Sequence, residues 1–235
     1  MSATKLNHKK RVFSPALVCL YGKMGPLGEN QKMARHLGKN LGAKSLCSIL
    51  PGVNTQHKVV EHQPDEILDA VGIILRHPGQ GAIFTSCDCP IVTIVNKNTG
   101  EVGVAYAGRW SLLKASTDCD SCSVGVLEEL FASMTLLSGE DMQVYVSGGI
   151  SVRHYTHQNE EELLPFIRKF GNRVVPDRSC GTLNLFRVIA AICRRYGISD
   201  KNISSDGLCT YETPWLGSKR AGKDGSNWTY VIKTQ

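Results

Sequence analysis

The sequence predicts an α+β domain, and three observations carry the prediction. Strand-like and helix-like segments alternate without a regular βαβ rhythm, and no Pro/Gly/Ser-rich linker divides the chain. Of the 235 residues, 42% are hydrophobic and 20% charged, the balance of a globular protein large enough to bury a core without disulfide staples. The first eleven residues are polar and basic, with Lys5, Lys9, Lys10 and Arg11, and read as a flexible arm over residues 1–12 ahead of one domain over 13–235.

Met33, Leu37 and Leu41 stand at helical spacing within residues 29–41, and Gly42 is a natural stop. Residues 65–75, which follow Pro64, read as a second helix that ends at the His77-Pro78-Gly79 break. The character then changes. Residues 82–85 and the β-branched run 91–95 read as strands, and Asn98-Thr99-Gly100 supplies turn chemistry before residues 102–105. Residues 82–107 are therefore expected to be adjacent strands with a hairpin. Helical spacing returns at 123–137, a short buried strand follows at 143–146, and another helix at 160–170 stops at Gly171. Residues 183–196 give the clearest helix, with Phe186, Ile189, Ile192 and Cys193 on one face and Gly197 just past the end. A closing strand is expected at 228–232.

Composition excludes several functions. No apolar run approaches the roughly 20 residues that span a bilayer, and no apolar core follows the basic start, so neither membrane insertion nor a secretory signal is expected. The net charge is +6, but the basic residues are scattered and aromatics are 7%, which argues against nucleic acid as a partner. Nine cysteines, an odd number, point to a reducing compartment and a cytoplasmic protein with free thiols.

The strongest local signal is Thr85-Ser86-Cys87-Asp88-Cys89-Pro90, where one expected strand ends and another begins. Cys89 there suits a nucleophile, a soft metal ligand or a buried structural thiol. Cys119 and Cys122 have the two-residue gap of zinc and redox motifs but no second pair at suitable spacing; Cys180 and Cys209 stand alone. Residues 217–223 imitate a phosphate loop until Asp224 replaces the magnesium-binding hydroxyl, so they read as a flexible basic loop presenting Lys219 and Arg220 to an anion. His154 and His157 lie three apart, a spacing that suits a chelating pair or two separate loop histidines.

Taken in order, these segments resemble the laccase-domain or polyphenol-oxidase-like family, the YfiH-like proteins. The family's Asp-Cys-x-Pro step is matched by Asp88-Cys89-Pro90 with one residue fewer. Where the family then has His-Ala-Gly-Trp-Arg-Gly, this chain has Tyr106-Ala107-Gly108-Arg109-Trp110-Ser111. Further echoes are Gln56-His57, Gly125-Val126-Leu127-Glu128-Glu129, Gly148-Gly149-Ile150 with Tyr155, Leu183-Asn184-Leu185, Cys209-Thr210-Tyr211 and Ser218-Lys219-Arg220, which together cover roughly residues 30–232.

The resemblance implies a single domain, a mixed β-sandwich flanked by helices, with a zinc ion held by one Cys and two His. It also implies purine nucleoside phosphorolysis on the adenosine, inosine or methylthioadenosine class, with adenosine deamination and a copper-dependent oxidase activity as further family activities. Carried over by position, the ligands are His57, Cys89 and, in place of the second imidazole, Tyr106. A phenol with an ordinary pKa of about 10 is a poor zinc ligand at neutral pH, so the resemblance leaves open whether His154 or His157 supplies the missing imidazole. Thr156 and Asn184 likewise stand where the family has Glu and Asp.

The expected site thus has Cys89 and His57 at its centre and Tyr106 as a hydrogen-bond donor. Arg109, Arg220 and Asp88 are expected to contact phosphate or substrate. Glutamine deamidases share this architecture, which offers a Cys-dependent hydrolase as an alternative reading. A nucleotide- or partner-binding homologue without catalysis is a third.

Overall fold

The computed structural model describes residues 7–51, 58–113, 124–135 and 138–235. Two six-stranded mixed sheets stack face to face. In the first, the order is β1 (His8–Phe13), β2 (Ala16–Met24), β12 (Ser226–Lys233), β7 (Gln80–Ser86), β3 (Ser45–Ile49) and β5 (Ile67–Leu68). In the second it is β11 (Ile203–Ser205), β10 (Met142–Ser147), β8 (Ile91–Asn96), β9 (Val102–Tyr106), β6 (Gly72–Leu75) and β4 (Val59–Glu61). The helices are α1 (Gln31–Asn40), the single turn α2 (Arg109–Leu112), α3 (Val126–Ser133), α4 (Leu164–Phe170) and α5 (Leu185–Arg195).

Strand alternation sorts the apolar side chains into three layers. Val18, Ala82, Phe84 and Val231 of the first sheet meet Ile73, Leu75, Ile91, Val95 and Val104 of the second. On the outer face of the first sheet, Leu17, Tyr21, Ile83, Trp228 and Tyr230 pack with Ala34 of α1. Beyond the second sheet, Val92, Ile94 and Val144 pack under Leu130 and Phe131 of α3, Phe166 of α4, and Val188, Ile189 and Ile192 of α5. The layers thus run helix, sheet, sheet, helices, and the mixed sandwich flanked by helices is the observed fold.

Burial on both faces explains where the sequence misleads. Residues 65–75 are not a helix; they form β5, cross between the sheets and form β6. Ile74 points to the helical side and Ile73 and Leu75 to the other sheet, so the segment reads as a continuous apolar run without strand alternation. Strand β7 belongs to the first sheet, whereas β8 and β9 form their hairpin in the second. Residues 87–90 therefore cross from one sheet to the other, and the expected row of adjacent strands over 82–107 is divided there.

From His8 onward the supposed flexible arm is an edge strand paired antiparallel with β2. Its basic side chains stay exposed, and charges of this kind guard a sheet edge against further pairing. In α5 the buried stripe is Leu185, Val188, Ile189, Ile192 and Cys193, while Phe186 faces outward and is 40% exposed. Asn184 caps α5, its side chain accepting the Arg187 N–H at 3.0 Å. Asn and Asp cap equally well, so this departure from the family pattern preserves a structural role.

Candidate functional site

A cleft of about 560 Å³ opens where β3, β7 and β9 end and β12 begins, lined among others by Cys87, Asp88, Cys89, Tyr106, Lys219 and Arg220. The crossing at 87–90 brings Asp88 and Cys89 here, the β8–β9 hairpin delivers Tyr106 opposite Ile91, and a turn ahead of β12 delivers Lys219 and Arg220. The site thus assembles from both sheets, so each of its residues depends on the sandwich being closed.

Cys89 and Tyr106 are hydrogen-bonded through thiol and phenol. Burial pushes the Cys89 thiol above its ordinary range, and the neighbouring charge of Asp88 works in the same direction. Burial and the adjoining Cys89 hold the Tyr106 phenol far above its own range. Both groups are therefore neutral at physiological pH. Gly108 closes the pair from behind: a Cβ there would lie 2.6 Å from the Tyr106 ring and 3.2 Å from Cys89 Sγ. Tyr155 is buried nearby, its phenol pushed up to about 12 chiefly by burial, with Cys89 adding and Arg109 and Arg220 opposing.

Asp88 is a clamp. Its Oδ1 accepts the hydroxyls of Ser218 at 2.6 Å and Thr210 at 2.8 Å, and its Oδ2 accepts the Arg220 N–H at 3.1 Å. Asp88, expected to contact substrate, thus uses both oxygens to seat the loop that carries Arg220. That loop is not flexible: Lys223 Nζ donates to the carbonyls of Thr210, Tyr211 and Thr213. Arg220 donates one N–H to the Thr156 carbonyl at 2.6 Å and lies 5.5 Å from the Tyr155 ring centroid. The Arg220 and Lys219 side chains are exposed to the cleft.

Arg109, expected as a phosphate ligand, does not line the cleft. Its guanidinium is paired with Glu162, lies 3.0 Å from His157 Nδ1 and covers the Trp110 ring at 4.3 Å. Glu162 in turn reaches His157 Nδ1 at 3.0 Å. Burial keeps His157 below the usual imidazole range, and its buried Nε2 has no hydrogen-bond partner among the described residues. Sequence reasoning did not single out Glu162, because its partner Arg109 lies 53 residues away. His154 and His157 do not form a pair. Thr156 bridges to Thr182, and the two rings leave in different directions, His154 toward Glu212 and His157 toward Glu162.

The chain matches the family model described as multi-copper polyphenol oxidoreductase laccase over residues 30–233. It belongs to this family. Three solved structures share the laccase-like fold. Neisseria meningitidis protein NMB0706 is 16% identical with a TM-score of 0.75, covering 97% of this chain and 100% of its own. The Bacillus licheniformis hypothetical protein YfiH is 14% identical with a TM-score of 0.68, covering 93% of both chains. YlmD from Geobacillus stearothermophilus is 15% identical with a TM-score of 0.69, covering 95% of this chain and 93% of its own. No curated protein matches the chain.

The donors at the Cys89 centre fit a metal poorly. His57 lies outside the described residues, as do Cys119 and Cys122. Of the other two expected ligands, one is a phenol held far above its ordinary range and the other a thiol hydrogen-bonded to it. Among the described residues, Cys89 belongs to no group of three His, Cys, Asp or Glu ligand atoms close enough to share an ion. No described helix is long and apolar enough to cross a membrane.

Proposed function

We propose that this laccase-like protein is a purine nucleoside phosphorylase whose Cys89–Tyr106 pair acts without a metal. One observation carries the reading: a single cleft joins two neutral hydrogen-bonding groups, Tyr106 and Cys89, to two exposed cations, Lys219 and Arg220. Its volume suits a nucleoside with phosphate, since small-molecule sites span about 300–1,000 Å³.

In this reading Arg220 and Lys219 bind phosphate, Arg220 through a two-point contact that its planar fork allows. A phosphate oxygen attacks C1′ of the nucleoside. The bond from C1′ to the purine nitrogen breaks, its electron pair passes to the base, and the base takes its proton from solvent. Tyr106 hydrogen-bonds the nitrogen that gains charge, and its raised pKa keeps it a donor throughout the physiological range. In the free site the phenol O–H donates to the Cys89 sulfur; when the base binds, the O–H turns to its nitrogen and the neutral thiol turns its S–H to the phenol oxygen. The products are ribose 1-phosphate and a free purine.

The same facts weigh against a Cys-dependent deamidase. An attacking cysteine needs a lowered pKa and a base, whereas burial raises Cys89 and its hydrogen-bond partner is a phenol. The test is chromatographic detection of free base from an adenosine, inosine and methylthioadenosine panel, with and without phosphate, for wild type and Cys89→Ala. Phosphate-dependent release that falls in the variant is expected; no release from any nucleoside would overturn the reading.

A further inference from the structure

Beside the cleft, but outside it, lies a second constellation. Among the described residues, one group of three potential metal-ligating atoms converges: the His154 imidazole, the Cys209 thiol and the Glu212 carboxylate, all within 4.8 Å of one another. We propose that these three side chains bind a zinc ion that fastens the wall of the cleft.

The chemistry of the donors selects the metal. Imidazole nitrogen, thiolate sulfur and carboxylate oxygen are the three donor types that zinc accepts, while a thiolate disfavours magnesium and calcium. Thiolate and carboxylate together carry two negative charges and balance the dication. Three protein ligands leave a fourth tetrahedral position for water, and solvent reaches two of those ligands: Cys209 is buried, but the His154 and Glu212 side chains are 27% and 51% exposed.

The ligands are held in advance. Cys209 and Glu212 sit three apart on a turn closed by the Thr213 N–H donating to the Cys209 carbonyl at 2.8 Å. Lys223 grips that turn through three carbonyls. His154 ends a second turn, its N–H bonded to the Ser151 carbonyl at 3.1 Å, and its ring stacks on Tyr211 with centroids 4.0 Å apart and planes 6° from parallel. The Ser151 N–H donates to Cys209 Sγ at 3.3 Å and fixes the direction of the sulfur. Without metal, His154 Nε2 and Glu212 Oε1 hydrogen-bond at 2.9 Å. On binding, that nitrogen and the carboxylate turn to the ion, and the Cys209 thiol gives its proton to solvent.

The position gives the ion a purpose. The segment that ends at His154 continues to Thr156, which holds Arg220, and the turn that begins at Cys209 contains Thr210, which holds Asp88. An ion here ties together the two segments that seat the cationic loop.

The test uses the full chain, stripped with a chelator under a non-thiol reductant and titrated with cobalt(II), then zinc. One equivalent of cobalt is expected, with a thiolate-to-cobalt charge-transfer band and intense tetrahedral visible bands that zinc abolishes. Cys209→Ser should remove the charge-transfer band, His154→Ala and Glu212→Gln should weaken binding at least about tenfold, and Cys89→Ser should leave the spectrum unchanged. Absence of stoichiometric binding, a band that survives Cys209→Ser, or a band lost in Cys89→Ser would overturn the proposal. Glu212→Gln, at an exposed position, decides the matter if the Cys209 variant does not fold.

Discussion

Cys89 and Cys209 lie on either side of one hydrogen bond, from Thr210 to Asp88, and their surroundings are opposites. Cys89 faces a phenol, and burial keeps its proton on. Cys209 faces an imidazole and a carboxylate and receives a backbone N–H. The first environment holds a neutral thiol that accepts the hydrogen bond of a phenol; the second places the sulfur beside two further metal-ligating atoms. Two cysteines of one chain, in loops that touch, are thus prepared for different chemistry by the groups placed beside them rather than by their own nature.

The sharpest way to break this comparison is to cut the clamp between the two regions. Asp88→Ala leaves the hydroxyls of Ser218 and Thr210 and the N–H of Arg220 without their acceptor. A loss of about 3 kcal/mol is expected, which for a chain of this size lowers the melting temperature by about 10 °C. A thermal unfolding midpoint within about 2 °C of wild type would show that the loop is seated by something else.

A smaller effect is expected on the cleft side alone. Arg220→Gln removes a charge while leaving the backbone N–H on Asp88 in place, so KM for phosphate should rise about tenfold with kcat less affected. Steady-state kinetics at varied phosphate separates the two, and an unchanged KM would remove Arg220 from the phosphate site.

The mildest probe reads the thiols themselves. Exposed Cys180 should react rapidly with iodoacetamide near neutral pH, and Cys89 slowly, its rate still rising above the ordinary thiol value of 9.0 because only the thiolate attacks. Peptide mass mapping against pH measures this. Fast labelling of Cys89 at pH 7 would contradict the neutral pair and revive the nucleophile reading.

Much of the frame was legible because local chemistry and tertiary structure agree there. Asn98-Thr99-Gly100 closes the β8–β9 hairpin, with Asn96 Oδ1 accepting the N–H groups of Asn98 and Thr99 and Gly100 at φ +70°. The 3.6-residue period of α5 survives because only one of its faces is buried. Strand β6 was not legible, since both its faces are covered and its alternation vanishes; β1 was not, since a charged edge strand looks like a solvated arm.

At the site, Cys89, Tyr106, Lys219 and Arg220 were legible as residues, and the structure brings them to one cleft. The roles of Arg109 and Asp88 were not, because each is decided by partners far along the chain, Glu162 for one and Thr210 and Ser218 for the other. Cys209, which stands alone in the sequence, acquires His154 only through the fold.

The most direct test of the central claim is to measure ribose 1-phosphate and free purine together, at fixed phosphate, for wild type and Tyr106→Phe. The account predicts equal amounts of the two products from wild type. It also predicts a fall in kcat of about 10²–10³-fold in the variant, which keeps the ring but loses the hydroxyl, with the fold retained and the melting temperature lowered by no more than about 10 °C. Free base without ribose 1-phosphate, or a Tyr106→Phe variant as active as wild type, would contradict it.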